Sequence, residues 1–302
     1  MDAYFDIFSG ISGNMILGAI IDLGVKISEL EQELEKLNIS DEYSLQVEKV
    51  NKNGIGGTYV EVQLIEGHHH IAEEEKAEEQ NFSHNHDHNH EHEHKHDHDH
   101  NHRHESTSHQ QDDTVSSEVE NHSHSHEHGR NLAAINNLID ESDLSRTVKE
   151  KSKKIFFNLA KAEGKIHGTD INEIHFHEVG AVDAIVDIVG SVIGLELLGI
   201  ENIYASSLNT GSGFVNCEHG KIPVPAPATL ELLQGVPVYS SGIKKELVTP
   251  TGAAIITTLC DNFGKRPEMK IKSTGYGAGS YDLEIPNLLR INLGEVINQK
   301  KN

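Results

Sequence analysis

The chain has 302 residues, 48 of them acidic and 25 basic, for a formal charge of −23, and it carries only two cysteines, Cys217 and Cys260. That length can bury a sizeable core without staples, and two thiols are too few for a disulfide framework and compatible with a reducing cytosol. The charge excludes nucleic acid as a main partner, since phosphate binding relies on clustered Lys and Arg, and it favours cations instead.

The opening Met1-Asp2-Ala3-Tyr4-Phe5-Asp6 lacks the basic-then-apolar order of a signal peptide. No run of about 18 apolar residues occurs, so no membrane span is expected. The expected location is the cytoplasm.

Residues 3–8 read as a short strand, and Ser9-Gly10-Ile11-Ser12-Gly13 as a small-residue turn. From Asn14 the apolar spacing (Met15, Leu17, Ile20, Ile21) is helical until Gly24. Ser28 is expected to cap a second helix that places Leu30, Leu34 and Leu37 on one face. Residues 43–50 and 58–65 alternate like a hairpin, with Gly54, Gly56 and Gly57 between them.

From residue 67 to 129 the composition changes. Nineteen of the 23 histidines fall here, every second residue being His from His84 to His104. The residues between them are Asn, Asp, Glu, Lys and Arg, so ordering would cost about 1 kcal/mol per residue with little burial in return. A disordered insertion in a surface loop is expected, separating residues 1–66 from residues 130–302 of one α/β domain. Neutral imidazole suits nickel, copper, zinc and cobalt. A flexible tract of interchangeable ligands suits metal capture or delivery, although composition does not name the metal, and an expansion without a dedicated role gives the same pattern.

Beyond the tract, helices are expected over residues 132–139, 148–162, 179–198, 228–234 and 250–263. Strands are expected at 203–208, in an extended pair over 211–222, and at 269–274 and 288–293, with Gly275-Tyr276-Gly277-Ala278-Gly279 as a turn. The fold class is therefore α/β or α+β, with mixed sheets and packed helices.

Three places could carry chemistry. In His175-Phe176-His177-Glu178, extended backbone would send both imidazoles to one side. Asp183 and Asp187, four apart on the apolar helix that follows, share a face. Buried carboxylates there need a cation or several donors, so a metal site and a structural network both fit. In Cys217-Glu218-His219 the thiol and imidazole can face one ion, although a lone cysteine is also an ordinary small apolar residue. Two helix starts offer backbone amides to an anion: Ser9, Gly10, Ser12 and Gly13 before the first helix, and Thr249, Thr251 and Gly252 around Pro250. Neither matches a P-loop or a dinucleotide fingerprint, and an ordinary turn explains each as well. No nucleophile elbow or His-Glu-x-x-His zinc helix is found.

Several segments in order resemble the LarC family of nickel-insertion proteins. They are Tyr4-Phe5-Asp6-Ile7-Phe8-Ser9-Gly10-Ile11-Ser12-Gly13-Asn14-Met15, the run from His175 to Gly190, and Gly211-Ser212-Gly213 through Cys217-Glu218-His219-Gly220. Pro223-Val224-Pro225-Ala226-Pro227-Ala228-Thr229, Leu247-Val248-Thr249-Pro250-Thr251-Gly252-Ala253-Ala254 and Gly275-Tyr276-Gly277-Ala278-Gly279 complete the set. The resemblance implies insertion of nickel into pyridinium-3,5-bisthiocarboxylic acid mononucleotide, giving the nickel-pincer cofactor of lactate racemase through Ni–S and Ni–C bonds. It implies CTP with Mg2+ or Mn2+ as co-substrate, and a base (His175, His177 or Glu178) to accept the ring proton. Nickel would be held by a set drawn from His175, His177, Asp183, Asp187, Cys217 and His219. Two departures are noted: the family usually has Asp where this chain has Asn14, and it usually continues past the Pro286-Asn287-Leu288-Leu289-Arg290 segment into a nucleotide-associated C-terminal domain. The expectation is an insertase that needs that part, in one chain or as a separate polypeptide. A nickel chaperone or store, or a metal-dependent hydrolase built on His175 and His177, would share many of these residues.

Overall fold

The computed structural model describes residues 1–65, 130–174, 176, 181–217 and 220–297. The insertion expected over residues 67–129 lies outside the described residues. Segments from both sides of it build one compact unit.

In chain order the elements are β1 (Asp2–Asp6), α1 (Gly13–Asp22), α2 (Ile27–Leu34), β2 (Tyr43–Lys52) and β3 (Ile55–Leu64). Then come α3 (Leu132–Glu141), α4 (Arg146–His167), α5 (Val182–Leu197), β4 (Asn202–Ala205) and β5 (Leu208–Asn209). Next are β6 (Phe214–Cys217), β7 (Gly220–Pro223), α6 (Pro227–Leu232) and β8 (Val238–Tyr239). The last are α7 (Pro250–Leu259), β9 (Asn262–Phe263), β10 (Met269–Ala278) and β11 (Leu288–Val296). Seven strands form one sheet in the order β2-β3-β10-β11-β1-β4-β9. Its pairings are parallel for β1–β4, β4–β9 and β3–β10, and antiparallel for β1–β11, β10–β11 and β2–β3. The mixed α/β class expected from the sequence is the class observed.

Helix α1 is the centre of the packing. Met15 to Ile20 are all buried, and α1 lies on β3 and β10 with α5 against it. The approach on the sheet side is close enough to require glycine. A Cβ on Gly277 would lie 1.7 Å from the Met15 carbonyl oxygen, and one on Gly18 would lie 2.2 Å from that of Thr58. Gly194 of α5 does the same on the other side, where a Cβ would meet the Ile20 side chain at 2.5 Å.

This packing corrects the expected turn at residues 275–279. Strand β10 continues through Gly275, Tyr276, Gly277 and Ala278, paired with β11 all the way to Ala278↔Leu288. Those glycines make room for a helix rather than reversing the chain. Four smaller differences have local causes. Helix α2 is capped by Lys26, whose side chain offers no cap hydrogen bond but pairs with Glu29 at 3.0 Å, and Ser28 sits inside the helix. The β2–β3 turn is Asn53-Gly54, both at positive φ (53° and 88°), which matches the right-handed twist of the hairpin; Gly56 and Gly57 belong to β3. Helix α5 begins at Val182 rather than residue 179. Helix α7 stops at Leu259, because Asn262 and Phe263 form β9 beside Tyr204 and Ala205.

Replacing Gly277 by Val should cost more than about 3 kcal/mol, because no rotamer relieves a clash with helix backbone. Gly56→Ala, which meets open space, should change stability by less than about 1 kcal/mol. Denaturant unfolding of the two variants beside the wild type checks both values.

Candidate functional site

The two helix starts, separate in the sequence, lie side by side in the fold. Ile11 bridges Val248 in parallel: the Ile11 N–H donates to the Leu247 carbonyl at 2.8 Å, and the Thr249 N–H donates to the Ile11 carbonyl at 3.1 Å. Glycine again permits the contact. Gly10, at φ 91°, would place a Cβ 1.9 Å from the Leu247 oxygen, and Gly252 would place one 2.4 Å from the Ile11 oxygen. Ser12 caps α1 and Thr249 caps α7, with the Thr249 hydroxyl accepting from the Gly252 N–H at 3.2 Å and Pro250 in the first turn. The Ser12 hydroxyl instead donates to Asn14 Oδ1 at 2.5 Å. Ser9 is fully buried, Thr251 half-buried.

A cavity of about 100 Å3 opens here, lined by Ser12, Asn14, Met15, Glu246, Leu247, Thr249, Gly279, Ser280, Tyr281 and Asn287. It lies beyond the carboxyl ends of β1 and β10, where open α/β sheets commonly hold ligands. Asn287, only 2% exposed, joins its walls. Its Nδ2 donates to the Ser9 carbonyl at 3.3 Å, and its Oδ1 accepts from the Tyr281 N–H at 3.0 Å. Glu246, Tyr281 and Asn287 carried no catalytic motif in the sequence, and only the fold brings them to the helix starts.

The acidic pair of α5 divides in two. Asp183 is exposed in the first turn, its Oδ1 accepting from the Ala184 N–H at 2.8 Å, which corrects the expectation that both carboxylates are buried. Val182, Ala184 and Ile185 of the same turn are buried, so Asp183 is simply the outward-facing position of that turn. Asp187, one turn on, reaches the start of α1, where its carboxylate accepts from the Asn14 N–H. A Cβ on Gly13 would lie 2.4 Å from Asp187 Oδ2, so the glycine admits the carboxylate. Asp187 Oδ1 is shielded from solvent and has no hydrogen-bond partner among the described residues. Burial first, and then repulsion from Asp183, hold this carboxyl well above the usual carboxylate range, against the opposing effect of the Asn14 amide. The start of α1 thus already has an acid of α5 against it.

His175, His177, Glu178, His219 and the Cys217 side chain lie outside the described residues. Among the described residues no group of three or more His, Cys, Asp or Glu comes together to hold a metal ion, and no helix is long and apolar enough to cross a membrane. Phe176, the described residue of the first motif, is 1% exposed and packs on Phe156 with ring centroids 6.5 Å apart. The strands that carry the second motif form the β6–β7 hairpin, as expected.

The architecture is that of an α/β protein in which the starts of two helices border one small cavity. The chain belongs to the nickel insertion protein family, whose model it matches over residues 3–302. It is 45% identical over 299 residues to the pyridinium-3,5-bisthiocarboxylic acid mononucleotide nickel insertion protein of Desulfitobacterium hafniense strain DCB-2, covering 99% of this chain and 60% of that one. The protein of the same description from Thermotoga sp. strain RQ2 is 43% identical over 294 residues, 97% of this chain and 61% of the relative. A putative nickel insertion protein of Maridesulfovibrio salexigens is 49% identical over 296 residues, 98% and 63% respectively. The chain therefore spans about 60% of the length of the curated relatives it matches. No solved structure matches it.

Asp187 binds its proton more tightly in the folded chain than in the unfolded one, so it lowers stability as pH rises from about 4 through its raised value. Asp187→Asn should be more stable than the wild type at pH 7, with the difference gone below about pH 4. Denaturant midpoints at the two pH values test this; a variant weaker than the wild type at pH 7 would show the ionised form to be held by donors.

Proposed function

We propose that this chain takes part in inserting nickel into pyridinium-3,5-bisthiocarboxylic acid mononucleotide, the step that completes the nickel-pincer cofactor used by lactate racemase. Family membership and the names of the relatives support the reaction class. The observation that supports the site is the meeting of the α1 and α7 starts at one cavity, where Asp187 accepts from the Asn14 N–H.

In this reading nickel is cargo. The tract of residues 67–129 gathers it, and His175, His177, Cys217 and His219 present it together with Asp183 and Asp187. Thiolate and imidazole suit a borderline divalent ion better than oxygen donors alone. The mononucleotide phosphate sits at Thr249, Thr251 and Gly252, with Ser9, Gly10, Ser12 and Gly13 shaping the adjoining wall. The base that accepts the ring proton as the Ni–C bond forms is His175, His177 or Glu178. Asn14 stands where the family usually has Asp, so the cavity is one negative charge poorer, which eases the entry of an anionic substrate. CTP with Mg2+ or Mn2+ is the co-substrate. It is handled by the part of the relatives outside the span matched here, in the same chain or on a separate polypeptide. The setting is the cytoplasm, with lactate racemase as recipient.

Nickel calorimetry on the intact chain and on a form lacking residues 68–128 tests the assignment. The shortened chain should keep one tight site that His177→Ala or Cys217→Ala abolishes and Asp183→Ala weakens at least tenfold, about 1.4 kcal/mol. Loss of all binding with the tract would make this chain a nickel store and sink the assigned ligand set.

A further inference from the structure

The loop between β10 and β11 supplies Gly279, Ser280, Tyr281 and Asn287 to the cavity lining. Its backbone is held at the two ends. The Gly279 N–H donates to the Asn287 carbonyl at 2.9 Å, and the Leu288 N–H donates to that of Pro286 at 2.9 Å. Among the described residues, no backbone-to-backbone hydrogen bond joins residues 280–285 to another segment. Side chains hold this stretch instead. The Asn287 Oδ1 accepts from the Tyr281 N–H at 3.0 Å, and Lys245 Nζ lies 5.0 Å from the Tyr281 ring centroid. The remaining ties come from the tip of the β2–β3 hairpin. Lys52 Nζ donates to the Tyr281 carbonyl at 3.1 Å and to Asp282 Oδ1 at 2.9 Å, while Asn53 Nδ2 donates to the carbonyls of Leu283 at 3.2 Å and Glu284 at 3.3 Å. Asp282 is 98% exposed, so that ion pair contributes little; the Lys52 side chain is 14% exposed, and its shielded, charge-assisted bond to the Tyr281 carbonyl is the stronger tie.

We infer that Lys52 and Asn53 are positioning residues for the cavity: from the hairpin tip they latch the 279–287 loop in place as its wall. The inference rests on the mononucleotide reading above for the ligand alone. The hairpin suits the task because it is the stiffer partner. It is paired without a break from Tyr43↔Leu64 to Lys52↔Ile55, and its turn is closed by Asn51 Oδ1, which accepts from the Gly54 N–H at 2.8 Å. A loop held by a few side-chain bonds opens at lower free energy than the strands that flank it. Fixing it beforehand removes an ordering cost that a ligand would otherwise meet on binding. Both residues act through the loop, and neither lines the cavity.

Hydrogen exchange and calorimetry on the full chain test the inference, the latter with nicotinic acid mononucleotide as probe. The double variant Lys52→Met with Asn53→Asp keeps the Lys52 stem and a residue that tolerates positive φ, but removes the three bonds to loop carbonyls. Amides of residues 280–285 should then exchange roughly tenfold faster, with β10 and β11 unchanged. The probe should bind the double variant about tenfold more weakly. Lys52→Arg, which keeps a cationic donor, should match the wild type in both readouts. Unchanged loop exchange overturns the inference, and so does faster exchange spread through β10 and β11, which would mean that the two residues hold the fold. Faster loop exchange with unaltered affinity also overturns it, while the mononucleotide reading stands. If the wild type does not bind the probe, the mononucleotide reading falls, and exchange alone upholds or overturns the latch.

Discussion

The close approach of α1 to the sheet is the contact on which the rest of this structure depends. A helix resting on large side chains stands well clear of the strands beneath it. Here Gly18 faces Thr58 and Gly277 faces Met15, so backbone meets backbone with no intervening side chain. Helix α5 closes from the other side through Gly190 and Gly194, which receive Leu17 and Ile20. Such an interior has little room to relax, and the position of Ser12 at the head of α1 follows directly from it.

That position has electrostatic consequences. Because α1 is pressed against α5, the Asp187 carboxylate falls at the α1 amino terminus and accepts from Asn14. The favourable end of a helix dipole partly offsets desolvation, yet burial and Asp183 still leave the carboxyl biased towards its neutral form. The same wedge carries Ile11 to Val248, so the α7 start joins the α1 start without any long side chain spanning them. Beside them the Asn287 amide draws the loop after β10 inward. One packing decision thus assembles the cavity from three distant stretches of chain.

Much of the fold was legible in the residues. Strand β1, helix α1, the β2–β3 hairpin and the paired β6 and β7 follow from local periodicity and turn chemistry. The glycine-rich run at 275–279 has the local signature of a turn, since glycine most often marks chain reversal. Its real role, leaving space for α1, depends on a partner some 260 positions away and leaves no local trace. Likewise, the apolar pattern of α5 implies burial of both acids, but Asp183 takes the outward-facing position of a turn whose Val182, Ala184 and Ile185 are buried.

The residues alone determined the acidic, histidine-rich composition of the chain, the mixed α/β class, the two helix starts and the ordered motifs of the nickel insertion protein family. These are local or compositional properties, set by side-chain chemistry and by spacings of a few residues. Tertiary structure decided that the two helix starts share one cavity, that Asp187 rather than Asp183 is drawn into the protein, and that Tyr281, Glu246 and Asn287 line the site. Those outcomes depend on how closely separate backbones can approach, which is settled only when the whole core packs.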